Sequence, residues 1–214
     1  MFARQAGLHE LLTSTPIIPV LAIDSVAAAL PLAKALVAGG LGVLEITLRT
    51  PAALEIIGAI RNELPDASVG AGTVLTAEQY HDAERAGARF MVSPGTTPAL
   101  LDVAEDSSVP WLPGAATSSE VMQLLERGYD CQKFFPAEPA GGIAYLKALA
   151  APLPDARFCP TGGIDSNRAS AYLALSNVLC VGGSWVAPRD AVAAGDWASI
   201  TRLAQAAAGL RSAP

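Results

Sequence analysis

"AKALVAGGLGVLEITLRT", residues 33–50, holds the unit from which the fold is read. Its first part has helical spacing, Gly39 and Gly40 punctuate it, and "GVLEITL" (42–48) is an apolar run of strand length that closes on polar residues. A helix that ends on glycine and leads at once into a buried strand is half of a parallel-sheet repeat. Outward from it, strand-like runs recur at IIPVLAI (17–23), ASVGAGTV (67–74), RFMVSP (89–94), VPWLPG (109–114), CQKFFP (131–136), ARFCPTGG (156–163) and NVLCVGGS (177–184). Helical segments such as 27–37, 52–63 and 120–127 lie between them. Thr76 to Gln79 fits a capping box, Ser118 and Ser119 precede Glu120, and Gly39, Gly87 and Gly128 fall where helices should end.

Gly40, Gly87 and Gly128 each stand just before a strand, 87 − 40 = 47 and 128 − 87 = 41 residues apart. That is close to one βαβα quarter of a barrel. Eight strands alternating with helices in 214 residues favour a closed (β/α)₈ TIM barrel over an open doubly wound sheet. One domain over 1–214 is expected, with an extra N-terminal helix at 2–13 covering the barrel's lower end. The Ala-rich stretch 191–210 reads as a final helix.

Composition narrows the function. With 51% hydrophobic and 16% charged residues the chain can bury one substantial core, and a mean hydropathy of +0.37 suggests that part of its surface is buried against other subunits. No apolar stretch approaches the ~18 residues of a membrane span, and the start "MFARQAGLHELL" has no signal-peptide pattern, so a cytoplasmic protein is expected. Cys131, Cys159 and Cys180 show no zinc-ligand spacing and the only histidines are His9 and His81, which argues against a metal. A net charge of −6 without a basic cluster argues against nucleic acid, though not against a small anion held by backbone amides.

In a barrel of this kind the strand C-termini form the active face. The second strand closes with Glu45, Thr47 and Arg49, the third with Gly72 and Thr73, the sixth with Lys133 and Phe135, the seventh with Thr161, Gly162 and Gly163, and the eighth with Gly182, Gly183 and Ser184. Strand residues two apart share a face, so Cys131 lies one layer beneath Lys133, Cys159 beneath Thr161 and Cys180 beneath Gly182. All three thiols read as core fillers. Burial, or a cation such as Arg49, favours Lys133 as a neutral, nucleophilic amine, whereas Glu45 favours the ammonium. Spacing alone leaves open a structural Lys133–Glu45 ion pair or a lysine reaching to solvent. "TGGI" and "VGGS" at the last two strands suit a phosphate site, because glycine lets an anion approach the backbone N–H groups. Arg49, with Thr73, suits a substrate carboxylate. Trp111, Trp185 and Trp197 read as core or subunit contacts, and GAGT at 70–73 is too slight for a dinucleotide site.

The strings "PVLAI", "AKALVAGGLGVLEITLRT", "VGAGTVLT", "FMVSPG", "PWLPGAATSSE", "KFFPAE", "RFCPTGGI" and "LCVGGSW" together resemble the class I 2-keto-3-deoxy-6-phosphogluconate (KDPG) aldolases of the Entner–Doudoroff pathway. The resemblance implies that Lys133 forms a Schiff base with the pyruvyl carbonyl, with no other cofactor, and that Glu45 shuttles protons. It implies that Arg49 and Thr73 hold the pyruvate carboxylate, that Pro94 and Phe135 line the substrate pocket, that Thr161 orients the substrate, and that Gly162, Gly163, Gly183 and Ser184 cradle the 6-phosphate. The products would be pyruvate and glyceraldehyde 3-phosphate. The family is also homotrimeric and often cleaves 4-hydroxy-2-oxoglutarate. Competing expectations are the galactonate version of the aldolase, a non-covalent phosphosugar isomerase using Glu45 and Lys133 as base and acid, and a phosphosugar-binding sensor.

Overall fold

The computed structural model describes residues 5–210. Helix α1 (Ala6–Thr13) occupies most of the expected N-terminal helix, and positions 2–4 of that span lie outside the described residues. Then follow β1 (Ile17–Leu21), α2 (Val26–Ala38), β2 (Val43–Thr47), α3 (Ala53–Glu63), β3 (Ser68–Gly72), α4 (Ala77–Arg85), β4 (Met91–Val92) and α5 (Pro98–Asp106). The second half comprises β5 (Trp111–Leu112), β6 (Gly114–Ala115), α6 (Ser118–Glu126), β7 (Cys131–Phe134), α7 (Gly142–Ala150), β8 (Arg157–Pro160), α8 (Ser166–Leu173), β9 (Val181–Gly183), α9 (Arg189–Ala193) and α10 (Trp197–Ala208). Among the described residues no helix is long and apolar enough to cross a membrane.

The molecule is an α/β fold on a curled parallel sheet. Six strands run in the order β5-β4-β3-β2-β1-β9, and three more in the order β6-β7-β8. Parallel bridges from Phe158 to Val178 and from Thr161 to Gly182 connect the β8 side to the β9 side. The expected fifth strand is split into β5 and β6 at Pro113, which has no N–H to give a ladder, although its carbonyl still accepts from Lys133 N at 2.8 Å.

The repeat glycines have a concrete task. Gly40, Gly87 and Gly128 stand at φ 92°, 92° and 84°, the left-handed turn that stops a helix and aims the chain into the next strand. Local signals are displaced by a residue in two places. Thr117, ahead of the two serines, caps α6 and closes a capping box with Glu120, while the Gln79 side chain takes the N–H of Leu75 at 2.7 Å rather than that of Thr76. The expected C-terminal helix is two helices, because Gly195 at φ 66° turns the chain and Asp196 caps α10.

Two apolar clusters result. The larger packs helices against the outer strand faces. The smaller contains Ile18, Val43, Phe90, Val92, Leu112, Cys131, Cys159 and Cys180, with Leu8 and Leu12 of α1 against one end of it. Several of its members sit two residues before a polar strand terminus: Val43 before Glu45, Cys131 before Lys133, Cys159 before Thr161. The inner faces are therefore dry below and polar above. Gln5 fastens α1 there: its buried amide donates to Trp111 O and Cys131 O, each at 3.0 Å, and accepts from Cys131 N at 2.8 Å.

Candidate active site

Lys133 and Glu45 come from strands on different parts of the sheet and meet at 3.2 Å, Nζ to Oε1, with side chains only 6% and 4% exposed. Water has little access to so dry a pair, and the contact is short enough for a proton to pass directly between the two groups. Lys133 is held by the ladder at Gly114 and Cys159, and its Nζ stands 5.4 Å from the centre of the Phe135 ring. Glu45 is held at Val20 and Gly70, and its carboxylate folds over Gly72 so closely that a Cβ there would lie 2.1 Å from Oε1.

Around this pair lies a cavity of about 200 Å³. Glu45, Arg49, Thr73, Pro94, Lys133, Phe135, Thr161, Gly162, Gly163, Gly183 and Ser184 all line it. It adjoins a larger groove of about 1000 Å³ that shares Val20, Arg49 and Ser184. Arg49 donates through Nε to Thr47 Oγ1 at 3.1 Å, and Thr47 in turn donates to Leu21 O at 2.9 Å. That relay pins the root of the guanidinium where Arg49 lines both the cavity and the groove. Thr73 has φ 59°, an outlier for a β-branched residue that costs about 1–3 kcal/mol and is typical of binding sites.

Peptide geometry orients the glycine loop. The carbonyls of Thr161 and Gly162 accept from Ala137 N and Glu138 N, at 2.8 and 3.1 Å, and that of Gly163 accepts from Arg168 Nη1 at 3.0 Å. In a trans peptide the following N–H points the opposite way. The amides of Gly162, Gly163 and Ile164 are therefore turned to the other side of the loop, and all three residues line the cavity. With φ of 104° and 79° at the glycines, the loop presents these amides to the cavity just ahead of α8, whose own first N–H groups at Asn167 and Arg168 are taken by the Asp165 side chain. Ile164 was not read from the sequence, since a backbone amide leaves no side-chain signature. Thr47 was noted there only as a polar strand end.

The thiols take no part in this cluster. Burial pushes the Cys131 thiol up to about 12, and the Cys180 thiol is raised by its hydrogen bond with Cys159 and by burial.

An amine that can attack a carbonyl, beside a carboxylate that can carry its proton, is the equipment of an enzyme acting on carbonyl compounds, and the fold and cavity place the chain in that class. The family model "KDPG and KHG aldolase" matches residues 8–203. A 2-dehydro-3-deoxy-phosphogluconate aldolase of Pseudoalteromonas atlantica is 53% identical over 202 residues, covering 94% of each chain. The solved KDPG aldolase of Legionella pneumophila, with pyruvate captured as a covalent carbinolamine, is 48% identical with a TM-score of 0.92 over 94% of this chain and 97% of that one. The aldolase of Zymomonas mobilis ZM4 with 3-phosphoglycerate is 47% identical with a TM-score of 0.93 over 99% of both. This chain belongs to the KDPG and KHG aldolase family and is a lyase of the aldolase type.

Proposed function

We propose that the chain cleaves 2-dehydro-3-deoxy-6-phospho-D-gluconate to pyruvate and D-glyceraldehyde 3-phosphate through a Schiff base on Lys133. The observation that carries this reading is the buried 3.2 Å contact between Lys133 Nζ and Glu45 beside a loop of outward-turned amides. Lys133 passes a proton to Glu45 and attacks C2; Glu45 returns that proton to the C2 oxygen, which leaves as water and gives an iminium, with Glu45 again a carboxylate. Glu45 then accepts the C4 hydroxyl proton, the C3–C4 bond breaks, and its electrons move into the iminium to leave an enamine. Glyceraldehyde 3-phosphate departs, C3 is protonated from Glu45 through a water, and hydrolysis releases pyruvate and the free amine. The iminium supplies the electron sink, so the reaction calls for no metal or other cofactor.

Arg49 and Thr73 hold the carboxylate, Pro94 and Phe135 wall the pyruvyl group, Thr161 orients the hydroxyls, and the amides of 162–164 with Gly183 and Ser184 take the phosphate. The carbinolamine in the Legionella relative and the 3-phosphoglycerate in the Zymomonas relative support the covalent and phosphate parts of this reading. The family name supports 4-hydroxy-2-oxoglutarate as a second substrate. The strand order, together with the two bridges between β8 and the β9 side, supports a single (β/α)₈ barrel over 1–214 with α1 against its lower end. A cytoplasmic homotrimer completes the proposal.

The test is incubation with pyruvate, reduction with borohydride and mapping of the adduct by mass spectrometry. A reduced pyruvyl adduct on Lys133 is expected; its absence from folded protein overturns the covalent mechanism. Relative rates on the gluconate and galactonate substrates decide the C4 preference.

A further inference from the structure

We propose that Glu138 is a positioning residue: with Arg168 and Tyr172 it holds the 162–164 loop in its anion-binding shape and so sets the preference for a phosphorylated substrate. The inference rests on the phosphate reading of that loop given above.

An array of N–H groups is fixed only if the carbonyls behind it are fixed. Glu138 works on those carbonyls from both its backbone and its side chain. Its N–H donates to Gly162 O at 3.1 Å, and one carboxylate oxygen lies 3.2 Å from the same Arg168 Nη1 that donates to Gly163 O at 3.0 Å. The other carboxylate oxygen accepts from the Tyr172 hydroxyl. Tyr172 is fully buried on α8, which makes it the rigid post of the group. Burial and the Glu138 charge push its phenol up, so it stays an O–H donor at ordinary pH.

The arrangement matters because Arg168 is half exposed, at 54%. Alone, an exposed arginine samples many rotamers and would hold a carbonyl weakly. Paired with a carboxylate already pinned by a buried phenol, it loses that freedom before substrate arrives. Contact is also tight: a Cβ at Gly163 would stand 2.8 Å from Glu138 Cβ, so loop and carboxylate move together. Glu138 lies on the segment that leaves Lys133, and the brace thereby sets the distance between the site of covalent attachment and the distal anion. Its charge would repel a phosphate if it faced the loop amides. Turned behind the loop and neutralised by Arg168, it acts through geometry.

The experiment compares kcat and KM for 2-keto-3-deoxygluconate with and without its 6-phosphate, using wild type, Glu138→Ala, Glu138→Gln and Tyr172→Phe. Removing a charge-assisted contact predicts that Glu138→Ala loses about 10-fold or more in kcat/KM on the phosphorylated substrate, through KM. It should lose less than about twofold on the unphosphorylated one. Glu138→Gln keeps an acceptor for Tyr172 and falls between, and borohydride trapping of pyruvate on Lys133 stays at the wild-type rate in all variants. Equal losses on both substrates, or an undiminished phosphate preference in Glu138→Ala, overturn the inference. If Glu138→Ala does not fold, Tyr172→Phe and Arg168→Ala carry the same comparison, and the same two results overturn the inference. A wild type without phosphate preference overturns the phosphate reading itself, which is a different outcome from failure of the brace.

Discussion

Replacing Gly72 by alanine adds one methyl group and tests whether the placement of Glu45 carries the chemistry. An ideal Cβ at Gly72 stands 2.1 Å from Glu45 Oε1, 2.5 Å from Cγ and 2.6 Å from Cδ, whereas ordinary contact begins at 3.4 Å, a shortfall of 1.3 Å at the oxygen. Gly72 does not have a left-handed φ, so alanine fits the backbone and the collision falls on the carboxylate. The Lys133–Glu45 contact is already 3.2 Å, and hydrogen bonds fade beyond about 3.5 Å. A displacement near 1.3 Å breaks it. Misplacing a reacting group by about 1 Å costs roughly 10²-fold, and removal of acid–base catalysis costs roughly 10²–10⁴-fold. Gly72→Ala is therefore expected to lose at least ~10²-fold in kcat/KM, measured by coupling pyruvate release to lactate dehydrogenase, with Glu45→Gln as the reference. Overpacking should cost about 1–3 kcal/mol of stability, yet the folded variant should still be trapped on Lys133 by pyruvate and borohydride. A folded Gly72→Ala enzyme within twofold of wild-type kcat/KM would refute the reasoning.

Thr47→Val removes the acceptor that roots Arg49 and is expected to raise KM for pyruvate in the condensation direction by ~10-fold with little change in kcat; a fall in kcat at constant KM would contradict the relay. Thr117→Ala should cost about 1 kcal/mol in urea unfolding by loss of the α6 cap. Burial works against ionisation of Glu120, in the same capping box, but bonds from the Ala116 and Thr117 backbone and the Thr117 hydroxyl outweigh it and lower its pKa. Since that folded value lies below the unfolded one, the stabilising difference between wild type and Glu120→Gln should be full above the ordinary carboxylate range. It should disappear as pH falls through the folded pKa, and a difference that grew in acid would reverse the sign. Burial of Cys131, Cys159 and Cys180, with the raised thiols of Cys131 and Cys180, predicts that all three resist iodoacetamide at pH 8 until guanidinium unfolds the chain; labelling faster than unfolding would count against the packing described.

Lys133, Glu45, Arg49 and the glycine pairs could be read from the chain because each is a local violation of pattern, polar or glycine at the end of an apolar strand, and the two-residue period fixes which neighbours share its face. Their meeting in one cavity follows from strand order, which the alternation of elements also encodes. What could not be read depends on pairs remote in sequence. Nothing near Gly72 announces that a carboxylate from β2 will lie on it, and nothing in "GGI" tells that Ile164 contributes an amide. Splitting of the expected fifth strand at Pro113 and of the last helix at Gly195 was legible in residue type. In each case an apolar run dominated the reading over the breaker within it.

Gln5 has a consequence for the order in which the chain matures. Its amide is tied to Trp111 and Cys131, 106 and 126 residues further on. At a synthesis rate of about 5–20 residues per second, Cys131 leaves the ribosome roughly 6–25 s after Gln5. Until then α1 has no receptor for this clasp, and Leu8 and Leu12 lack part of the surface they later cover. The helix is thus made well before it can be secured, and its docking reports that β7 has arrived.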